Sequence, residues 1–189
     1  MDILKAVQMF RPWNEQEARD REEILRRLAS GEPLLTRENA SAHLTASGWV
    51  VSPDRRRVLL AYHNLYDSWA WLGGHADGDP DLLAVALREV REESGAEARP
   101  VTPEIYSLEI LTVDGHEKRG GYISSHLHLN ATFLLEADPD LPIRPKPDEN
   151  SRTAWFGLEE AIAASTEPWF QARVYSKLNA KLSGFPPEG

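Results

Sequence analysis

Three glutamates, Glu89, Glu92 and Glu93, stand at positions i, i+3 and i+4 in the segment LLAVALREVREESG. On a helix that spacing puts them on one face. Carboxylates so close repel one another, and a hard divalent cation removes the repulsion. Mg²⁺ suits such a group, because it takes oxygen ligands, keeps several waters and is held by one or two carboxylates together with substrate phosphates. A lone ExxEE reads as a solvated acidic face. Here the pair Gly73-Gly74 precedes the helix and Arg88 stands directly before Glu89, which makes the pattern far more specific.

The elements that must position these groups are written around them. Asp79 is an N-cap residue, Pro80 suits the first helical position, and Gly95 suits the left-handed residue that stops a helix. Between them Leu83, Ala86, Leu87 and Val90 recur at spacings of three and four, which predicts one packed face. Upstream, HLTASGWVVS and RVLLAYH predict a β-hairpin over residues 43–63, turning at Pro53-Asp54. A loop over Asn64–Ser68 and the run Trp69 to Leu72 lead into the glycines. Downstream, Ile105–Val113 and Tyr122–Leu135 read as strands joined by a turn or longer loop. The second alternates, with His126, His128 and Asn130 on one side and Leu127, Leu129 and Ala131 on the other. An acidic, proline-rich connection follows, then a strand over Arg152–Gly157 and helices over Leu158–Ser165 and Pro168–Leu182. Residues 1–40 read as a helical extension, with Asn14 capping EQEARDREEILRRLAS and Gly31 ending it. Its apolar side covers the core or pairs two subunits. The expected organisation is an extension over 1–40 and one α/β domain over 41–189.

Composition narrows the function. The 189 residues are 41% hydrophobic and 27% charged, ordinary for a globular protein with a core. The net charge of −9 with no basic run argues against nucleic-acid binding as the main task. The absence of cysteine excludes disulfides, zinc–thiolate sites and cysteine nucleophiles. No run approaches the ~20 apolar residues of a membrane span. The first residues lack a signal-peptide pattern, so a cytoplasmic location is expected.

The stretch Gly73 to Ala96 resembles the Nudix box, G-x5-E-x7-R-E-U-x-E-E-x-G-U. Gly74 matches its first glycine, and Arg88, Glu89, Val90, Glu92, Glu93 and Gly95 match the second half in register. Pro80 falls where the family has its first glutamate, and Ala96 takes the last aliphatic position. The missing glutamate normally pairs with the arginine matched by Arg88; Asp79 or Asp81 takes that role, or the pairing is absent.

The resemblance implies an α/β/α sandwich around a mixed β-sheet, a Mg²⁺ or Mn²⁺ cofactor, and hydrolysis of a diphosphate bond in a small nucleotide-like substrate of the form NDP–X. It implies metal ligation by Glu89, Glu92, Glu93 and the Gly73 carbonyl, with Arg88 orienting a glutamate. The general base is Glu89 or a carboxylate from a later loop, for which Glu149 is the candidate here. His75, His126, His128 and Trp69 are substrate-contact candidates, with a polar pocket wall preferred to a zinc or iron site for the His-x-His pair. His43, His63 and His116 receive no role, and Lys118 and Arg119 read as solvated. A homodimer is expected to be compatible with the helical extension. The rival from another class is a non-catalytic Nudix-like module that senses a nucleotide, for which Pro80 is the argument and the intact glutamates the objection.

Overall fold

The computed structural model describes residues 2–118, 120–147 and 150–187; Arg119 and Glu149, and the side chain of Lys118, lie outside what is described. The fold is built on β1 (Ala42–Val51), a ten-residue strand buried throughout. Its parity explains how. Ala42, Leu44, Ala46 and Val50 enter one apolar cluster with Leu82, Val85, Ala86 and Val90 of α3 (Leu82–Ser94). Trp49 and Val51 enter a second cluster with Val174, Tyr175, Leu178 and Leu182 near the C-terminus. A strand covered on both faces reads as a near-continuous buried run, except that this one carries the buried polar residues His43, Thr45 and Ser47 on its second face.

β1 runs antiparallel to β2 (Arg57–His63) and β4 (Leu72–His75), and parallel to β9 (His126–Glu136) from Ala42↔Leu127 to Val51↔Glu136. β3 (Ser68–Ala70) and β10 (Asn150–Gly157) flank β2, while β5 (Arg99–Pro100) and β6 (Ser107–Val113) flank β9. The result is a mixed eight-stranded sheet among the described residues. β7 (His116–Lys118) and β8 (Gly121–Ile123) form a separate two-stranded ribbon. Tyr122 therefore belongs to that ribbon, and the long strand expected from it starts only at His126.

Two helix boundaries differ from the sequence reading. α3 begins at Leu82 with Asp81 as N-cap, whose Oδ1 accepts from the Ala84 N–H at 3.2 Å. Asp79 accepts from the Asp81 N–H at 2.9 Å, so Asp79-Pro80 forms an Asx turn ahead of the helix. The stop is as expected: Gly95 has φ 69°. After α4 (Leu158–Ala164), the expected single helix is a π-helical segment, Phe170–Tyr175, continued by α5 (Ser176–Lys181). The wider turn brings Tyr175 as well as Val174 inward, and Tyr175 stacks on Trp49 with ring centroids 5.4 Å apart.

At the other end α1 (Ile3–Met9) and α2 (Glu15–Ala29) pack on the chain's own core through Val7, Phe10 and Ile24. Asn14 caps α2 as the sequence predicts, accepting from the Glu17 N–H at 2.9 Å. Glu17 itself is fully buried. It accepts from Lys181 Nζ at 2.8 Å, lies 3.4 Å from Lys177 Nζ and contacts Ser107 Oγ of β6. Lys177 also donates to Glu109 of β6 at 2.9 Å. No helix among the described residues is long and apolar enough to cross a membrane.

Burial alone would raise the Glu17 pKa, but the charges of Lys177 and Lys181 and the hydrogen bonds from Lys181 and Ser107 outweigh it and hold the carboxyl below its usual 4.5. Its contribution to stability is therefore complete above that value and is lost as the pH falls below it toward the folded pKa. Glu17→Ala leaves the buried Lys181 ammonium without its carboxylate while Lys177 keeps Glu109, and is expected to cost about 3–5 kcal/mol in urea unfolding near neutral pH. The same variant is expected to show a shallower loss of stability than the wild type below that pH, measured by urea unfolding across an acid series.

Candidate active site

The loop and helix of the box are locked by close approach. The Gly73 N–H donates to Glu93 Oε2 at 2.9 Å, and Asn150 Nδ2 donates to Glu93 Oε1 at 3.1 Å. A Cβ built on Gly74 would lie 2.5 Å from the carboxyl carbon of Glu89, and one on Gly73 would lie 2.5 Å from the Ala46 carbonyl oxygen. At Gly73 the obstacle is backbone, so only glycine lets β4 lie this close to β1. Glu93 is thus buried and held on both oxygens, Glu89 is half-buried, and Glu92 is the more exposed of the three.

Arg88 lies across this acidic face. Its guanidinium donates to Glu89 Oε1 at 3.1 Å and lies 3.7 Å from Asp79 and 4.0 Å from Glu92. Asp79 thereby supplies a carboxylate partner for Arg88 despite Pro80. Lys146 stands 3.7 Å from Glu92. Burial, and next the charge of Glu92, push the Glu89 pKa up against the pull of Arg88 and Lys146. Glu89, Glu92, Glu93 and Asp79 outnumber these two basic groups, so negative charge is in excess. The donors are all hard oxygens, the set a Mg²⁺-sized dication takes. The residues present fit such an ion.

All three glutamates, with Gly73, Gly74 and Arg88, line a cavity of about 980 Å³. Its floor is the polar face of the sheet. Thr45 and Ser47 donate to Asn130 Oδ1 at 2.9 and 3.0 Å, and Asn130 Nδ2 donates to Glu109 at 3.1 Å. His75, His126 and His128 line the cavity, as do His63, His116, Tyr66, Trp71 and Phe170. Trp69 is placed elsewhere: its β3 register opposite Tyr62 turns the ring onto Tyr62 and Phe156, at 5.5 and 4.8 Å. Trp71, two residues on, is the tryptophan that faces the cavity. Glu149 lies outside the described residues, next to Asn150. Asn150 was not foreseen, and no spacing in the sequence ties it to Glu93.

A box helix with its carboxylates facing a cleft on a mixed sheet defines the class, and comparison with known proteins agrees. The family model described as NUDIX domain matches residues 42–178, and the chain belongs to that family. The chain is 28% identical over 105 residues to the asymmetrical bis(5'-nucleosyl)-tetraphosphatase of Mus musculus, a match spanning 55% of this chain and 65% of that protein, just under two-thirds of its length. A NUDIX-family hydrolase structure from Clostridium perfringens superposes with a TM-score of 0.53 at 18% identity, covering 75% of this chain and 96% of that one. The dihydroneopterin triphosphate pyrophosphohydrolase of E. coli gives 0.53 at 15% identity, over 71% and 92% of the two chains. At these identities the two structures speak to fold.

Gly73→Ala drives a methyl group into the Ala46 carbonyl and the Ser47 backbone of β1. It is expected to destabilise the protein by about 1–3 kcal/mol in chemical denaturation, the range of an overpacked site.

Proposed function

We propose that this chain is a divalent-metal-dependent hydrolase, with Mg²⁺ or Mn²⁺ as cofactor, that cuts a phosphoanhydride bond in a nucleoside diphosphate linked to another moiety. The observation that carries the reading is the placement of Glu89, Glu92 and Glu93 on one wall of a substrate-sized cleft, with Glu89 and Glu93 set against the Gly73-Gly74 backbone. Membership of the NUDIX family supports it. The kinship to a bis(5'-nucleosyl)-tetraphosphatase makes dinucleoside polyphosphates a substrate class to include. A cytoplasmic location is part of the proposal.

Glu89, Glu92, Glu93 and the Gly73 carbonyl would hold the cation. When bound, a divalent cation supplies Lewis acidity toward phosphate oxygens and neutralises charge that builds on the leaving phosphate. The chain does the rest. Asn150 and the Gly73 N–H hold the Glu93 carboxylate in place. Arg88 orients Glu89. Tyr66, Trp71 and Phe170 provide aromatic wall for a base, and His75, His126 and His128 provide polar wall. A carboxylate, Glu89 or Glu149, takes the proton from the attacking water, which adds to one phosphorus and releases a nucleotide and a phosphorylated remainder.

Purified protein assayed against a nucleotide panel with Mg²⁺ or Mn²⁺ is expected to turn over one substrate class, and Glu92→Gln/Glu93→Gln to lower that rate by about two orders of magnitude or more. Micromolar binding without turnover would replace this reading with a nucleotide sensor. Glu149→Gln decides the base, because Glu89 also holds the cation: kcat lowered by about 10²–10⁴-fold assigns the base to Glu149, and a near wild-type kcat assigns it to Glu89.

A further inference from the structure

Five of the chain's six histidines gather along one side of the cleft. His43 comes from β1, His75 from β4, His116 from β7, and His126 and His128 from β9. Register explains the meeting. His43 and His128 are direct partners in the parallel ladder, and Thr45, two residues beyond His43, is paired with His75. Residues that are paired, or two apart on a strand, project from the same face of a sheet. The His43 ring lies 5.0 Å from His75, 4.9 Å from His126 and 5.0 Å from His128, centroid to centroid. One ring nitrogen from each of His43, His75 and His128 lies within 4.8 Å of the others. A tetrahedral ion with metal–nitrogen bonds near 2.0–2.1 Å holds its ligands about 3.3 Å apart, a small side-chain adjustment away.

Hydrogen bonding fixes where the lone pairs point. His43 Nδ1 is 3.2 Å from the Asn39 carbonyl oxygen. A carbonyl only accepts, so Nδ1 carries the proton and Nε2 the lone pair. That Nε2 is buried and has no hydrogen-bond partner among the described residues. His126 Nδ1–H likewise donates to the Ser124 carbonyl at 2.8 Å, but its Nε2 then accepts from His128 Nε2–H at 3.2 Å, which leaves the His128 lone pair on Nδ1. His43 thus has one ring nitrogen held by a backbone carbonyl and the other unpartnered, the outer-shell pattern of a histidine metal ligand. Burial first, and the neighbouring histidines next, push the His128 pKa down to about 2. Burial also lowers His43. Burial thus disfavours the charged form of both rings.

Neutral imidazoles suit Zn²⁺ and its transition-metal neighbours and are the wrong donors for Mg²⁺. We propose that His43, His75 and His128 form a second metal site, distinct in donor chemistry from the α3 glutamates, that takes a borderline divalent transition metal of the Zn²⁺ class. His126 stands beside the fourth position. His75, His126 and His128 line the cavity, so that position opens toward the cleft.

The test reads binding, and so is independent of the hydrolase reading. Untagged protein, stripped with chelator and kept in excess Mg²⁺, is titrated with Zn²⁺ by calorimetry and with Co²⁺ by visible absorption. The expected result is one tight equivalent and the intense ligand-field bands of tetrahedral Co²⁺. His43→Ala and His128→Ala are each expected to weaken Zn²⁺ binding by about tenfold or more, and Glu92→Gln/Glu93→Gln to leave it unchanged. His75→Asn, at a half-buried position, gives a further ligand variant if either alanine substitution unfolds the protein by circular dichroism. The proposal is overturned by absence of Zn²⁺ binding in excess Mg²⁺, by binding that folded histidine variants retain in full, or by binding lost in the glutamate variant. Histidine-dependent binding of inorganic phosphate in place of Zn²⁺ would also overturn it.

Discussion

Two carboxylates and two ammonium groups are buried together between the first long helix and the last, and the rest of the molecule is arranged to keep them matched. Glu17 meets Lys181 and Lys177, and Lys177 meets Glu109. Removing such charges from water is costly, and the cost is offset only when every partner is present and hydrogen-bonded. The network does not stop at the ions. Glu109 accepts from Asn130 and Thr132, and Asn130 accepts from Thr45 and Ser47, which lie at the floor of the cleft. The polar floor and the buried ion pairs are one connected system. The helices that look most peripheral in sequence thereby brace the residues beneath the substrate space.

On the cleft wall the same logic runs at shorter range. Glu93 is buried, and two hydrogen bonds from Gly73 and Asn150 orient it. Glu89 is set against the bare backbone of Gly74, where a side chain would displace its carboxyl group. Arg88 then draws Asp79, Glu89 and Glu92 toward one guanidinium. Rigid placement of like charges is the preorganisation that the proposed cation site would require. Pro80 does not prevent it, because Asp79 reaches Arg88 from the Asx turn that precedes the helix.

What was legible in the sequence was local. The α3 stripe, its glycine stop, the Asn14 cap and the His126/His128 alternation are patterns within a few residues, and each appears in the structure. The start of α3 was misplaced by two residues because Asp79 and Asp81 are equally good caps, and the Asx turn decided between them. The π-helical segment was invisible because Phe170, Val174 and Leu178 also fit a regular helix. Trp69 and Trp71 have the same parity, and only the pairing of β3 with β2 sends one onto Tyr62 and leaves the other facing the cavity. His43 was passed over for the same kind of reason. Its partners are set by the parallel register with β9, some 85 positions away, and no local spacing encodes that register.

The parallel pairing of β1 with β9 also bears on how the protein is made. Parallel partners need a crossover connection, and here the intervening chain contains β2, β4, α3 and β6. Contacts so distant in sequence slow folding, because a long loop must close before they form. Emerging from a ribosome, β1 can pair early with β2 and β4, but its other edge stays unpaired until β9 has been synthesised. Glu17 waits longer still, exposed to water until Lys177 and Lys181 have followed. The nascent chain therefore carries an open strand edge from the completion of β1 until β9 is made. A hydrophobic edge of that kind is where intermolecular pairing begins, and the polar His43, Thr45 and Ser47 on one face of β1 make it less adhesive during that interval.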